Sequence, residues 1–167
     1  MGGGAYTDEE LMATARTFEK NLLNFFWRQG VSSYEGEDLV QETYLRLWKY
    51  RGNYRPTAKL STFLFILARQ VRIDALRRQT RREGREDRWG RDQPESAVPS
   101  ALCAREDVRW AVAQLTEPLR EVVELGVFQD LPYAEVGEIL GIPVGTVKSR
   151  MSNALKKLKE LFDEQGS

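Results

Sequence analysis

The chain contains no histidine and only one cysteine, Cys103, among its 167 residues. Without histidine it lacks the commonest general base and metal ligand, which argues against a hydrolase or metalloenzyme, while carboxylate chemistry stays formally open. One thiol can form neither an internal disulfide nor a cysteine-cluster metal site, so Cys103 reads as a buried or bystander group, with a redox role as the alternative. No apolar run approaches the ~20 residues of a membrane-spanning helix, and no secretory leader pattern opens the sequence. The expectation is a soluble, cytoplasmic protein with no direct membrane insertion and no cofactor. Met1-Gly2-Gly3-Gly4 reads as a flexible start. Strand-like alternation is also missing, so the expected fold is all-α.

Net charge is absent as well, with 25 Lys and Arg against 25 Asp and Glu, but the charges are segregated. Between positions 69 and 91 stand Arg69, Arg72, Arg77, Arg78, Arg81, Arg82, Arg85, Arg88 and Arg91. From 92 to 142 acids dominate, and from 143 the chain turns basic again. Two cationic patches separated by an acidic middle point to two nucleic-acid contacts whose affinity falls steeply with salt. An arginine run without lysine favours guanidinium–phosphate contact over a merely solvated helix face.

What is present is a run of helical patterns. Thr7-Asp8-Glu9-Glu10 is a capping-box start to a helix expected to reach about Arg28. A polar turn from Gly30 to Gly36 precedes a helix from about Glu37 to Tyr50, and a loop from Arg51 to Lys59 follows. Ser61 is placed to cap a long third helix in which Phe63, Leu64, Leu67, Val71 and Ala75 share a face. Residues 83–104, with Gly84, Gly90, Pro94 and Pro99 and few apolar positions, read as a flexible linker. Helices are then expected from about Arg105 to Leu115, Glu117 to Phe128, Tyr133 to Leu140 and Val144 to Phe162. The economical organisation is two small helical domains, 1–82 and 105–167, joined by that linker.

The C-terminal pattern is a helix-turn-helix. Tyr133, Val136 and Leu140 recur at helical spacing after Pro132, Gly141 supplies the stop, and Pro143 stands where a new helix can begin. In the second helix Val147, Met151, Ala154, Leu155 and Leu158 form one stripe. Opposite lie Gly145, Ser149, Ser152, Asn153 and Lys156, flanked by Thr146, Lys148, Arg150 and Lys157. Such side chains read base edges or hold phosphates in a major groove, each good bidentate base contact giving about 1–3 kcal/mol of discrimination.

The N-terminal half narrows the class. In Asp38-Leu39-Val40-Gln41-Glu42-Thr43-Tyr44-Leu45-Arg46-Leu47-Trp48, Val40, Tyr44, Leu47 and Trp48 are expected to point inward. Asp38, Glu42, Leu45, Arg46 and Lys49 fall on the outer face with Gln41 at its border, and a leucine among charges there suits a protein partner.

This segment resembles the core-polymerase-binding helix of bacterial sigma factors. The run from Phe63 to Arg78 looks like that family's promoter-recognition and melting helix, and Gly145-Thr146-Val147-Lys148-Ser149-Arg150 is similar to its promoter-reading helix. Short length and a missing intermediate domain point to the extracytoplasmic-function (ECF) type, with the resemblance covering roughly 6–82 and 105–162.

The resemblance implies a promoter-specificity subunit of RNA polymerase, not an enzyme, acting at stress-response-type promoters. Asp38, Gln41, Glu42, Leu45, Arg46 and Lys49 would grip the clamp helices of the largest polymerase subunit. Asn53, Tyr54, Arg55, Lys59, Gln70, Arg72, Arg77 and Arg78 would contact the −10 element. Thr146, Lys148, Ser149, Arg150, Ser152, Asn153 and Lys156 would contact the −35 element. An anti-sigma factor, in this family often membrane-anchored, is the further partner implied. The family usually has Trp-Leu where Phe63-Leu64 stands, and Asn at the position of Gln70. Opening about ten base pairs at ~1.4 kcal/mol per step costs on the order of 14 kcal/mol. Trapping one or two extruded bases returns only ~1–3 kcal/mol each, so polymerase must supply the rest.

A stand-alone helix-turn-helix regulator is the alternative, but it leaves the N-terminal motifs unexplained. A nuclease using Asp38 and Glu42 would need carboxylates converging around a metal, and these sit on a convex helix face.

Overall fold

The computed structural model describes residues 6–54, 59–85 and 103–165. Among them every regular element is a helix: α1 (Asp8–Arg16), α2 (Glu19–Arg28), α3 (Ser33–Tyr50), α4 (Leu60–Arg85), α5 (Cys103–Ala113), α6 (Glu117–Val123), α7 (Tyr133–Leu140) and α8 (Val144–Gln165). A 3₁₀ turn spans Arg51–Asn53 and a π turn spans Glu124–Phe128. They fall into two compact units, the first built on α1 to α4 and the second on α5 to α8. Residues 86–102 of the expected linker lie outside the described residues, while its two ends, 83–85 and 103–104, belong to α4 and α5.

In the first unit the Thr7 cap forms as expected: the Glu10 amide donates to Thr7 Oγ1 at 3.2 Å and the Thr7 amide to Glu10 Oε2 at 2.9 Å. The single helix expected to Arg28 is broken in two. Thr17 donates through both its amide and its hydroxyl to the Thr14 carbonyl, at 3.1 and 2.6 Å, which tightens the turn and ends α1. Ser32 caps α3 by accepting from the Glu35 amide at 3.2 Å, so that helix starts four residues earlier than the sequence pattern indicates. Ser61, expected as the cap of α4, lies inside its first turn.

The core of this unit joins Leu22, Phe25 and Phe26 of α2 to Leu64, Phe65 and Val71 of α4, with Val40 and Leu47 of α3. Phe25 meets Phe26 and Phe65 edge-on, at centroid distances of 5.2 and 5.6 Å. α3 lies along α4, which sets the geometry of the site described below. Thr43 is fully buried on α3, its hydroxyl satisfied by the Leu39 carbonyl at 2.7 Å. Trp48, expected inward, is exposed instead, with the Arg51 guanidinium 3.9 Å over its ring.

Tyr44 is buried as expected. Burial, reinforced by Glu19 and opposed by Arg16, pushes its hydroxyl from 10.0 up to about 12. The fold therefore favours the protonated phenol: the stabilisation is complete below pH 10 and is lost as pH climbs through the folded value near 12. Tyr44→Phe is expected to flatten the fall in melting temperature between those two pH values, as thermal unfolding followed by circular dichroism would show.

In the second unit α8 packs on α6 and α7. Val122, Val123, Val136, Val147, Met151 and Ala154 are all buried. Leu155, expected in the buried stripe, is exposed; of the helically spaced Tyr133, Val136 and Leu140, Val136 is fully buried, and Ile139 is buried beside it. The continuous helix expected from Glu117 to Phe128 opens into the π turn after Val123. Gly126 faces Met151 there so closely that a Cβ would sit 2.5 Å from the Met151 methyl.

Candidate nucleic-acid interface

The helix-turn-helix is set by two glycines. Gly141 adopts the left-handed conformation, φ 69° and ψ 34°, and ends α7. Gly137 lets the turn close: the Ile142 amide donates to its carbonyl at 3.0 Å, and a Cβ on Gly137 would lie 2.7 Å from the Ile142 carbonyl oxygen. The Pro143 carbonyl then accepts from the Thr146 and Val147 amides, starting α8. This seating turns Gly145, Lys148, Ser149, Ser152, Asn153 and Lys156 outward, with Thr146 and Arg150 half-buried beside them. The Ser149 hydroxyl donates to the Gly145 carbonyl at 3.0 Å, leaving its oxygen to accept. The first turn of α8 carries no acid, so its helix dipole and lysines present one cationic face.

On the first unit, Asp38, Gln41, Leu45 and Lys49 project from α3, and Leu45 is 68% exposed. Glu42 and Arg46 differ from the outer-face expectation, because α4 covers that flank of α3. Glu42 accepts from Arg46 at 3.0 Å and from Arg78 of α4 at 3.1 Å. Arg46 also pairs with Asp74 of α4 at 2.7 Å. Burial opposes the Arg46 charge, but the hydrogen bonds to Asp74 and Glu42 outweigh it and raise its pKa above the usual arginine value. Arg78, expected on DNA, is turned to Glu42 while staying largely exposed.

Of the expected −10 residues, Asn53, Lys59, Gln70 and Arg77 are exposed and Arg72 is half-buried. Arg55 lies outside the described residues. An open cleft between α3 and α4 brings Gln70 and Arg77 together with Arg46, Lys49 and Asp74. Tyr54 stands in an aromatic row, 6.2 Å from Tyr6 and 5.5 Å from Phe63 between ring centroids. Burial, with Tyr6 nearby, raises the Tyr54 hydroxyl pKa. Tyr6 and Asp74 were not singled out by sequence; each sits one long step from its partners along the chain, where periodicity carries no signal. Among the described residues no three Cys, Asp or Glu gather as a metal site would require, and no helix is long and apolar enough to cross a membrane.

Among the described residues the architecture is two helical units, one with an exposed leucine among charges on α3 and one with a helix-turn-helix whose outer face is cationic. Residues 15–82 match the family model for sigma-70 region 2 and residues 105–158 that for sigma-70, region 4. The chain is 30% identical over 146 residues to the ECF RNA polymerase sigma factor RpoE of Cereibacter sphaeroides, covering 86% of this chain and 81% of that protein. It is 34% identical over 138 residues to the ECF sigma factor SigL of Mycobacterium tuberculosis, covering 79% and 77%. The fold is similar to that of CnrH, solved with the cytosolic domain of CnrY (TM-score 0.76, 18% identity, 97% and 93% covered). It is also similar to RpoE of Bartonella quintana, solved with the anti-sigma factor NepR (0.68, 24%, 92% of each). The chain belongs to the ECF sigma factors, promoter-specificity subunits that bind core RNA polymerase and direct transcription initiation. The region 2 match across the N-terminal half disfavours a stand-alone regulator, and the family is generally non-catalytic.

Proposed function

We propose a division of surfaces within this sigma factor. Residues 1–82 form the unit that docks core polymerase and handles the −10 element, 83–104 connect, and 105–167 read the −35 element. On α3, Asp38, Gln41, Leu45 and Lys49 meet the clamp helices directly, with Glu42 and Arg46 at the edge of the same contact. Asn53, Tyr54, Arg55, Lys59, Gln70, Arg72, Arg77 and Arg78 serve the −10 element. Thr146, Lys148, Ser149, Arg150, Ser152, Asn153 and Lys156 serve the −35 element. The observation that carries this reading is Leu45, a large apolar side chain held 68% exposed between polar neighbours. Such a residue gains most from burial against a partner.

The chain works in the cytoplasm at stress-response-type promoters and is restrained by an anti-sigma factor, often membrane-anchored in this family, that covers the polymerase-binding face. Support for that partner is the RpoE of Bartonella quintana, solved with an anti-sigma factor. Run-off transcription with core enzyme on a promoter library tests the whole reading and returns both promoter elements. Within that assay Lys148→Ala is expected to weaken holoenzyme binding about equally across −35 sequences and to lower the salt slope by about 1, the signature of one lost phosphate contact. Titrations at several salt concentrations check it; a change confined to one −35 base would assign Lys148 to base reading instead.

A further inference from the structure

Four charges form a square between α3 and α4. Glu42 and Arg46 stand one turn apart on α3, and Asp74 and Arg78 stand one turn apart on α4. The helices present them in opposite order, so that Arg46 meets Asp74 at 2.7 Å and Glu42 meets Arg78 at 3.1 Å. The Glu42–Arg46 bond at 3.0 Å closes one side within α3. Both oxygens of Glu42 are thereby engaged: Oε1 by Arg46, Oε2 by Arg78. Arg46 is the long, rotamer-rich member, and free in water it would lose substantial side-chain entropy on docking. Held between two carboxylates, it has lost that freedom before any partner arrives. Asp74 supplies the shortest of these bonds, and it comes from a helix that does not itself carry the docking face.

We propose that Asp74 is a positioning residue for polymerase docking: from α4 it fixes Arg46, and through Arg46 the Glu42 carboxylate, in the geometry that the docking face presents. Arg78 secures the other end of the same square. The inference rests on the reading that the α3 face docks polymerase. Asp74 need not touch polymerase or DNA; its effect is to lower the ordering cost of two side chains that do. Because the pairs are partly solvent-exposed, the gain is modest and screened by salt.

The test measures association of the full chain with core polymerase for the wild type, Asp74→Asn, Asp74→Glu and Leu45→Asp, at low and high salt. Asp74→Asn is expected to weaken association three- to tenfold at low salt and less at high salt. Asp74→Glu restores most of the loss, and the melting temperature of the free chain stays unchanged. Unchanged association in Asp74→Asn beside a strong loss in Leu45→Asp overturns the positioning role alone. No loss in Leu45→Asp overturns the docking face itself. A loss in Asp74→Asn that tracks a lowered melting temperature, or that persists in Asp74→Glu, makes Asp74 a packing residue and also overturns the proposal.

Discussion

Replacing Leu45 with Asp is expected to reduce association with core polymerase at least thirtyfold and to suppress run-off transcription in parallel. The physical reason is twofold. The variant removes an apolar side chain that is 68% exposed in the free chain and therefore available for burial. It also brings a carboxylate with no designed partner into a contact that excludes water. Central interface residues of this kind cost about 2 kcal/mol or more when lost, which is roughly thirtyfold in Kd. Because Leu45 contributes little to the core of its own unit, the melting temperature of the free chain should stay within about 4 °C, since surface changes fall within about ±0.5 kcal/mol. Fluorescence anisotropy of labelled chain titrated with core enzyme, beside a thermal melt, separates lost docking from lost folding. Wild-type association in the variant would remove α3 from the polymerase contact.

Gly137→Val is the second large effect, and it falls on stability. A Cβ at 137 would lie 2.7 Å from the Ile142 carbonyl oxygen, 3.7 Å from the Val147 side chain and 3.8 Å from the Val144 amide nitrogen. The nearest obstacle is backbone in the turn itself, so relief requires the turn between α7 and α8 to open. Overpacking of this sort costs about 1–3 kcal/mol, and a β-branched side chain belongs at the upper end. For a domain of 60–100 residues, 1 kcal/mol moves the melting temperature about 4–8 °C. A loss on the order of 10 °C or more is expected for the second unit. Calorimetry together with amide exchange on α7 and α8 checks it, and −35-dependent initiation should fail while core association survives. Gly126 offers the contrast. A Cβ there meets the Met151 methyl at 2.5 Å, the far end of a flexible side chain, so Gly126→Ala costs less than its shorter distance implies.

The two glycines that set the helix-turn-helix, Gly141 and Gly137, differ in how legible they are. Gly141 announced itself as a helix stop, and its left-handed conformation follows from having no Cβ. Gly137 sits inside a helical pattern, where a glycine lowers helix propensity without saying why. Its reason lies five residues away in the Ile142 carbonyl. Helix α3 shows the same divide. Val40, Tyr44 and Leu47 were read correctly as buried, because one helical period places them on one stripe. Trp48, expected inward, and Thr43, for which the pattern carries no expectation, both lie at the stripe's edges. There a neighbouring helix decides: Thr43 goes in, satisfied by the carbonyl four residues back, and Trp48 stays out under Arg51.

Sequence alone determined that this chain is helical, where most helices lie, that the last pair forms a helix-turn-helix, and which motifs tie it to sigma factors. All of these depend on interactions within a few residues: caps, turn glycines and the 3.6-residue period. Tertiary structure alone decided that Glu42 and Arg46 are committed to Asp74 and Arg78, that Trp48 stays exposed, and that Tyr6 joins Tyr54 and Phe63. A helical wheel gives each side chain a direction about its own axis. Only the packing of a second helix, whose residues lie thirty or so positions away, determines whether that direction meets solvent or an opposite charge.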